Sequence, residues 1–195
     1  MSDAFPKIYL ARHGQTEWAL TSQHTGRTDI PLTAQGEVEA KSLGMRLAKF
    51  KPAAVFTSPS QRARRTAELA GFPNAIIDED LAEWDYGNYE GLRSAEIESR
   101  QPGWNVFVDG SPNGESVQDM TARADRVVAK LRATGGNALI FTSGHIGRCI
   151  AARWLGQPIT LGAYLLLSTA SLSILGYDHG LHEPAILQWN ETGWE

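Results

Sequence analysis

The sequence predicts an α/β protein organised as a three-layer α/β/α sandwich, with a mostly parallel central sheet and an antiparallel edge. Short apolar runs alternate along the chain with longer segments whose apolar residues recur at helical spacing. This alternation is typical of a parallel sheet covered by helices on both faces. The last two apolar runs, residues 172–177 and 185–189, lie close together and predict a hairpin at one edge of the sheet.

Composition limits the size of the protein and the classes of partner. The chain has 195 residues, of which 42% are hydrophobic, and this suits a single domain over residues 1–195 with a sizeable core. The net charge of −4 gives no support to nucleic-acid binding, and no apolar run approaches membrane-spanning length. The single cysteine, Cys149, excludes an intramolecular disulfide. We therefore expect a cytoplasmic protein with no nucleic-acid or membrane partner, and a homodimer is compatible with the sequence.

The end of the first predicted strand carries the residues around which the chain is organised. Residues 8–11 are apolar and are followed directly by Arg12, His13 and Gly14. Ligands of open α/β sheets bind at the carboxyl ends of the strands, so both side chains are expected at a binding edge. Taken alone, His13 is also compatible with a histidine that only fills the core.

Two further strands follow, over residues 53–57 and near 75–77. The helix that precedes them is expected to be capped by Thr33. Between the two strands, Ser58 is expected to cap a second helix, with Pro59 in its first position and Gln61 completing a capping box.

That second helix places Arg62 in its first turn, beside the end of the preceding strand. Residues 81–92 are rich in acidic and aromatic side chains and predict a loop, whereas Ser116 opens a long helix. The strand at residues 138–142 is followed by a turn that contains His145 and by another helix. Two of the predicted parallel strands thus end at a histidine.

These strand ends bring together side chains that suit a phosphoryl group. Arginine binds phosphate oxygens in a bidentate manner, helix N-termini add oriented N–H groups, and a neutral imidazole can attack phosphorus. The candidates are Arg12, His13, Arg62 and His145. Taken singly, Arg62 is also compatible with a solvated surface cation, and His145 with a capping or core histidine.

The whole pattern resembles the histidine phosphatase superfamily, also called the phosphoglycerate mutase-like family. The matching pieces occur in family order and are residues 10–18, 25–26, 31–33, 57–58, 62–63, 66, 83–87, 90–91 and 143–145. One departure is Ala19, which stands where many members carry Asn. Polar contacts at that position are therefore not carried over.

The resemblance implies a metal-independent phosphatase with no cofactor, in which His13 is the nucleophile and Glu83 the proton donor. Arg12, Arg62 and His145 complete the implied phosphate pocket. Further contacts to a small phosphorylated metabolite are expected at Gln15, Thr25, Gly26, Tyr86, Trp104, Ile146 and Arg148.

The match over residues 15–33 and 83–92 looks most like the sugar-bisphosphate phosphatases of the superfamily, of the kind that act on sedoheptulose bisphosphate. Arg148, one helical turn after His145, is expected to hold a second anion, although it is also compatible with a surface ion pair. Two alternatives stay open: a phosphoglycerate mutase and a non-catalytic phosphate-binding module. Mutases of this family carry a long insertion where only residues 92–139 intervene here, which favours a phosphatase.

Overall fold

The computed structural model describes residues 5–193, and the strands within this range form one six-stranded sheet. In chain order they are β1 (Ile8–Arg12), β2 (Ala54–Thr57), β3 (Ile76–Ile77), β4 (Ala138–Thr142), β5 (Leu172–Tyr177) and β6 (Pro184–Glu191). Their order across the sheet is β3-β2-β4-β1-β5-β6. The first four of these are parallel, whereas β5 and β6 are antiparallel to their neighbours. The predicted sheet is therefore confirmed.

Helices occupy most of the connections between strands. Within residues 5–193 they are α1 (Glu17–Leu20), α2 (Ala34–Leu47), α3 (Gln61–Leu69), α4 (Ser94–Glu98), α5 (Val106–Asp109), α6 (Val117–Ala133) and α7 (Gly144–Trp154). Short 3₁₀ segments cover Glu79–Leu81, Gly87–Tyr89 and Ile159–Tyr164. The sequence pattern does not predict α1, α4 or α5, because each is too short to show a repeating apolar face. No helix in the described range is both long enough and apolar enough to cross a membrane.

Strand β4 lies at the centre of the sheet, and both of its faces are covered. Its alternate residues enter two different cores: Ala138 and Ile140 pack with α6 and α7, whereas Leu139 and Phe141 pack with α2 and α3. Side chains alternate between the two faces of a strand, so the molecule has the predicted three layers. Full burial of a large apolar side chain contributes about 1.5–3 kcal/mol, which explains why this strand, buried at every position, forms the centre of the sheet.

Two of the predicted helix caps are confirmed. Thr33 accepts the backbone N–H of Gly36 at the start of α2, at 3.0 Å. Ser116 accepts the N–H of Asp119 at the start of α6, at 3.1 Å. Each hydroxyl satisfies one of the free N–H groups that a helix leaves at its first turn.

The predicted cap of α3 is wrong. Ser58 and Pro59 precede the helix, which begins at Gln61 with Ser60 in the cap position and without a side-chain cap from that serine. The N–H of Gln61 instead donates to the carboxylate of Asp29, at 2.8 Å. A residue 32 positions away in the chain supplies this bond, so local sequence chemistry could not predict it.

Candidate active site

The carboxyl ends of three neighbouring parallel strands meet at one edge of the sheet. Arg12 at the end of β1 is in register with Thr142 at the end of β4, and the N–H of His13 donates to the carbonyl of Thr142 at 2.9 Å. Strand β2 leads into α3, whose second residue is Arg62. Arg12, His13 and His145 line a cavity of about 290 Å³ at this edge.

His13 is buried, and one of its two ring nitrogens already forms a hydrogen bond. Its Nδ1 lies 2.8 Å from the carbonyl oxygen of Gly14. Because a carbonyl only accepts, Nδ1 carries the proton, and the neutral ring keeps its lone pair on Nε2. Burial, followed by the charges of Arg62 and Arg12, lowers the pKa of His13 well below its ordinary value. The ring is thus held as a neutral imidazole.

Arg12 and Arg62 both donate hydrogen bonds to backbone carbonyls, and each keeps one buried N–H without a partner among residues 5–193. Arg12 donates from Nη1 to the carbonyl of Leu167 at 2.5 Å. The Nη atoms of Arg62 donate to three carbonyls of the loop before α2, those of Thr25, Gly26 and Thr28. Within residues 5–193, the Nε atoms of Arg12 and Arg62 are buried without a hydrogen-bond partner. An unsatisfied buried donor costs about 1–3 kcal/mol, or more on a charged group, and a bound anion would remove this cost.

The carboxylate of Glu83 caps helix α7 from a distant part of the chain. Oε2 accepts the N–H of His145 at 2.9 Å, and Oε1 accepts the N–H groups of Ile146 at 2.9 Å and Trp84 at 2.8 Å. Ser143, in the cap position of α7, makes no side-chain cap bond. These bonds fix the carboxyl group next to His145 at the wall of the cavity.

His145 and Tyr86 form a short hydrogen bond between two neutral groups. Tyr86 Oη lies 2.5 Å from His145 Nδ1. Burial, followed by the charge of Glu83, raises the pKa of Tyr86 well above its ordinary value. Burial, followed by the charge of Arg148, lowers the pKa of His145 well below its ordinary value. The phenol therefore keeps its proton, and the imidazole is uncharged.

Most of the residues expected at the site lie together. Those that line the 290 Å³ cavity are Arg12, His13, Thr25, Glu83, Tyr86, His145 and Arg148. Arg62 is only 1% exposed and holds the cavity wall through the carbonyl of Thr25. Ala19, the departure from the family pattern, also lines the cavity.

Three expected contact residues have other partners in the structure. The side-chain oxygen of Gln15 accepts from Thr33 at 2.9 Å, and the N–H of Gly26 donates to Glu90. Ile146 is fully buried, and its N–H donates to Glu83. None of the three is among the described residues that line the cavity.

A second cavity of about 400 Å³ adjoins the first and contains Trp104, the remaining expected contact residue. Trp104 and Arg148 line it. Arg148 donates from Nε to the carbonyl of Gly162 at 2.7 Å and from Nη2 to that of Ala163 at 3.0 Å. Its guanidinium group also lies 4.7 Å from the ring centroid of Phe107. Arg148 therefore faces the site, but much of its hydrogen-bonding capacity is already used.

Sequence reasoning missed His24 and Leu167, which both line the first cavity. Leu167 acts through its carbonyl, which every residue type has, so no sequence signal exists for it. His24 lies in a polar loop without periodicity, and only its imidazole chemistry marks it.

One group of side chains has the geometry of a metal site, and none of its residues lines either cavity. In the described part of the chain, Asp178, His179 and Glu183 are the one such cluster, exposed at the turn between β5 and β6. The nitrogen of His179 lies 3.1 Å from both carboxylates, so simple ion pairs with a protonated ring also account for the arrangement.

The fold and the buried cluster of arginines and histidines at its strand ends define a phosphoryl-transfer enzyme. Comparison with known proteins agrees, because residues 8–192 match the model of the histidine phosphatase superfamily (branch 1). The chain belongs to this superfamily.

Named relatives include several phosphatases. The chain is 38% identical to an acid phosphatase of Mycobacterium tuberculosis, over 93% of this chain and 91% of that protein. It is 33% identical to the sedoheptulose 1,7-bisphosphatase of Saccharomyces cerevisiae, over 82% of this chain and 71% of that protein. Among solved structures, the product of open reading frame Rv3214 of Mycobacterium tuberculosis superposes with a TM-score of 0.92 at 36% identity, covering 97% of this chain and 99% of the other.

Proposed function

We propose that the protein hydrolyses phosphomonoesters of small sugar-like metabolites through a phosphohistidine at His13. The observation that carries this proposal is the pairing of a buried neutral imidazole with two buried guanidinium groups. Nε2 of His13 has a lone pair, and the Nε atoms of Arg12 and Arg62 have no partner among residues 5–193. A phosphoryl group beside Nε2 would accept from both arginines while it is attacked.

The proposed reaction has two steps. Nε2 of His13 attacks phosphorus, the bond from phosphorus to the ester oxygen breaks, and protonated Glu83 gives its proton to that oxygen, which leaves as the alcohol. Water then attacks phosphorus, the bond from phosphorus to Nε2 of His13 breaks and returns its electron pair to Nε2, the water proton passes to the carboxylate of Glu83, and inorganic phosphate leaves. The cations stabilise the charge on the phosphoryl oxygens in both steps. In this scheme Tyr86 donates to Nδ1 of His145, so the neutral ring has an Nε2 proton to donate to the phosphoryl group.

The sizes and charges of the two cavities support a sugar phosphate as the substrate. The first cavity, of about 290 Å³, suits a phosphoryl group, and the second, of about 400 Å³, has room for the rest of a small metabolite. Arg148 lines both cavities and can contact a second anion through Nη1. Two named relatives are an acid phosphatase and a sedoheptulose 1,7-bisphosphatase, so a ketose bisphosphate is the leading candidate.

A screen of phosphate release across phosphorylated metabolites tests the proposal, alongside an isomerisation assay with 3-phosphoglycerate. We expect phosphate release from sugar phosphates. Isomerisation without phosphate release would make the protein a mutase, and binding without turnover would make it a phosphate-binding module.

We also propose that the protein is cytoplasmic and forms a homodimer. Strand β6 is an outer strand of the sheet, and its Leu187 is exposed, which supports an interface there. Light scattering of the purified protein and fractionation of cells test the two statements.

A further inference from the structure

The two cavities share a boundary, and two of the residues there, His24 and Ser94, have no part in the proposed chemistry. His24, Ser94, His145 and Arg148 line both. A substrate whose phosphoryl group lies next to His13 therefore passes this boundary as it extends into the second cavity. Any polar atom fixed there would contact the part of the substrate nearest to the reacting ester.

His24 is fixed at this boundary by contacts on several sides. It is only 8% exposed, and its ring stacks nearly parallel to that of His145, with centroids 5.9 Å apart and 12° between the planes. The rings of Tyr86 and Trp104 also pack against it in T-shaped pairs, with centroid distances of 4.8 and 5.3 Å. The imidazole is therefore held in one orientation.

The hydrogen bonds of His24 determine which ring nitrogen remains available. Nδ1 lies 2.9 Å from the carbonyl oxygen of Leu92, and since that oxygen only accepts, Nδ1 carries the proton. When the ring is uncharged, Nε2 is therefore a hydrogen-bond acceptor. No atom of residues 5–193 forms a hydrogen bond with Nε2.

Among the described residues that line the second cavity, Asp, Glu, Lys and Arg are represented by Glu98 and Arg148 alone, and the charges of these two are opposite. Its acidic residue, Glu98, accepts the N–H of Gly103 at 2.9 Å, and Arg148 is partly occupied by the carbonyls described above. The ring of Trp104 forms part of the wall, while its indole N–H donates to the carbonyl of Gly110. Aromatic faces with a few fixed polar atoms suit the uncharged part of a metabolite.

We infer that the second cavity binds the hydroxyl-bearing carbon chain of the substrate, and that His24 determines specificity by accepting a hydrogen bond from a substrate hydroxyl. This inference rests on the proposed phosphatase activity and deepens it. His24 takes no part in proton transfer to the ester. Its effect is to favour polyhydroxylated phosphate esters over apolar esters of the same length.

The test compares two esters with three-carbon chains, glycerol 3-phosphate and propyl phosphate. The measured quantity is kcat/KM for glycerol 3-phosphate divided by kcat/KM for propyl phosphate. A general structural defect lowers both values and leaves this ratio unchanged. One neutral hydrogen bond contributes about 0.5–1.5 kcal/mol, or roughly 2- to 12-fold in kcat/KM. We expect the ratio to fall by this factor in His24→Phe, which keeps an aromatic ring but has no acceptor.

Three more variants complete the design. His24→Gln has a carbonyl oxygen near the position of Nε2, so it should keep most of the wild-type preference for glycerol 3-phosphate over propyl phosphate. The shorter side chain of His24→Asn can keep the bond to Leu92, but the preference should be lost. If His24→Phe does not fold, this pair decides the question. His182→Phe is the matched control, since His182 lies in the turn between β5 and β6 with its side chain 81% exposed, and its ratio should equal that of the wild type.

The outcomes separate this inference from the proposed function. Hydrolysis of both esters with the same ratio in the wild type and in the His24 variants would overturn the role of His24 and leave the phosphatase intact. Absence of phosphate release from every phosphomonoester tried would overturn the proposed function itself.

Discussion

Replacement of Glu83 by Gln tests two roles of this carboxylate together, as proton donor and as cap of α7. The carboxylate accepts three backbone N–H groups, two on Oε1 from Trp84 and Ile146 and one on Oε2 from His145. An amide has one acceptor oxygen. If that oxygen takes the place of Oε1, the NH₂ group faces the N–H of His145, and two donors oppose each other in a buried site.

The structure sets the size of both effects. One buried donor without an acceptor costs about 1–3 kcal/mol, and for a chain of this length that lowers Tm by roughly 2–12 °C. Loss of general acid–base catalysis slows hydrolysis of a sugar phosphate by roughly 10²- to 10⁴-fold. p-Nitrophenyl phosphate has a leaving group that needs little protonation, so its rate of phosphoenzyme formation should fall much less.

The assay is single-turnover phosphoenzyme formation with both substrates, combined with thermal unfolding. Asp78→Asn is the control, because Asp78 is also 9% exposed and accepts the N–H of Asp80 at 3.1 Å, but does not line either cavity of the site. We expect this control to lose stability and keep its activity. Equal losses on the two substrates in Glu83→Gln would refute the assignment of Glu83 as the acid.

Four other predictions follow from the site. His13→Ala should abolish turnover, and mass analysis of briefly reacted wild type should find acid-labile phosphate on His13; an adduct on His145 would contradict the mechanism. Phosphoenzyme formation should persist below pH 6.5, because burial and the charges of Arg62 and Arg12 lower the pKa of His13 and keep it neutral; loss of the nucleophile at pH 6.5 or above would refute this. Activity should survive exhaustive chelation with EDTA, whereas a loss restored by metal would indicate that the histidines are ligands. Arg148→Ala should lower kcat/KM for sedoheptulose 1,7-bisphosphate about 10- to 100-fold more than for the 7-phosphate, the value of one charge-assisted hydrogen bond; equal losses would exclude a second-anion site.

The fold could be predicted because its central strands have strong local signals. The first four residues of β4, Ala138 to Phe141, are all apolar, as expected of a strand buried on both faces, and Thr33 and Ser116 cap the helices that follow them. The start of α3 could not be predicted in the same way, since Asp29 binds its first N–H from a distant loop.

The same difference, between local sequence signals and contacts from distant parts of the chain, applies to the residues of the candidate site. His13 and His145 could be identified because each lies within three residues of the end of a predicted strand. Glu83 has no such position: it lies in a loop, and only the resemblance to a family pointed to it. His24 also lies in a loop, and its importance depends on stacking and on a bond to Leu92, contacts that sequence spacing does not reveal.

The partners of the site arginines explain how a chain with a net charge of −4 forms an anion site. Exposed arginines such as Arg27 and Arg126 pair with aspartates. In contrast, all hydrogen bonds donated by the site arginines within residues 5–193 end on backbone carbonyls; these arginines are Arg12, Arg62 and Arg148. A carbonyl satisfies an N–H donor but carries no formal negative charge, so the three positive charges are not neutralised by an ion pair.

The one carboxylate among the described residues lining the first cavity is Glu83, which is itself bound by backbone N–H groups. Burial, and then the charges of Arg62 and Arg12, lower the pKa of His13. The positive field that the three site arginines keep, because their partners are backbone carbonyls instead of carboxylates, attracts an anion and stabilises charge on a phosphoryl group.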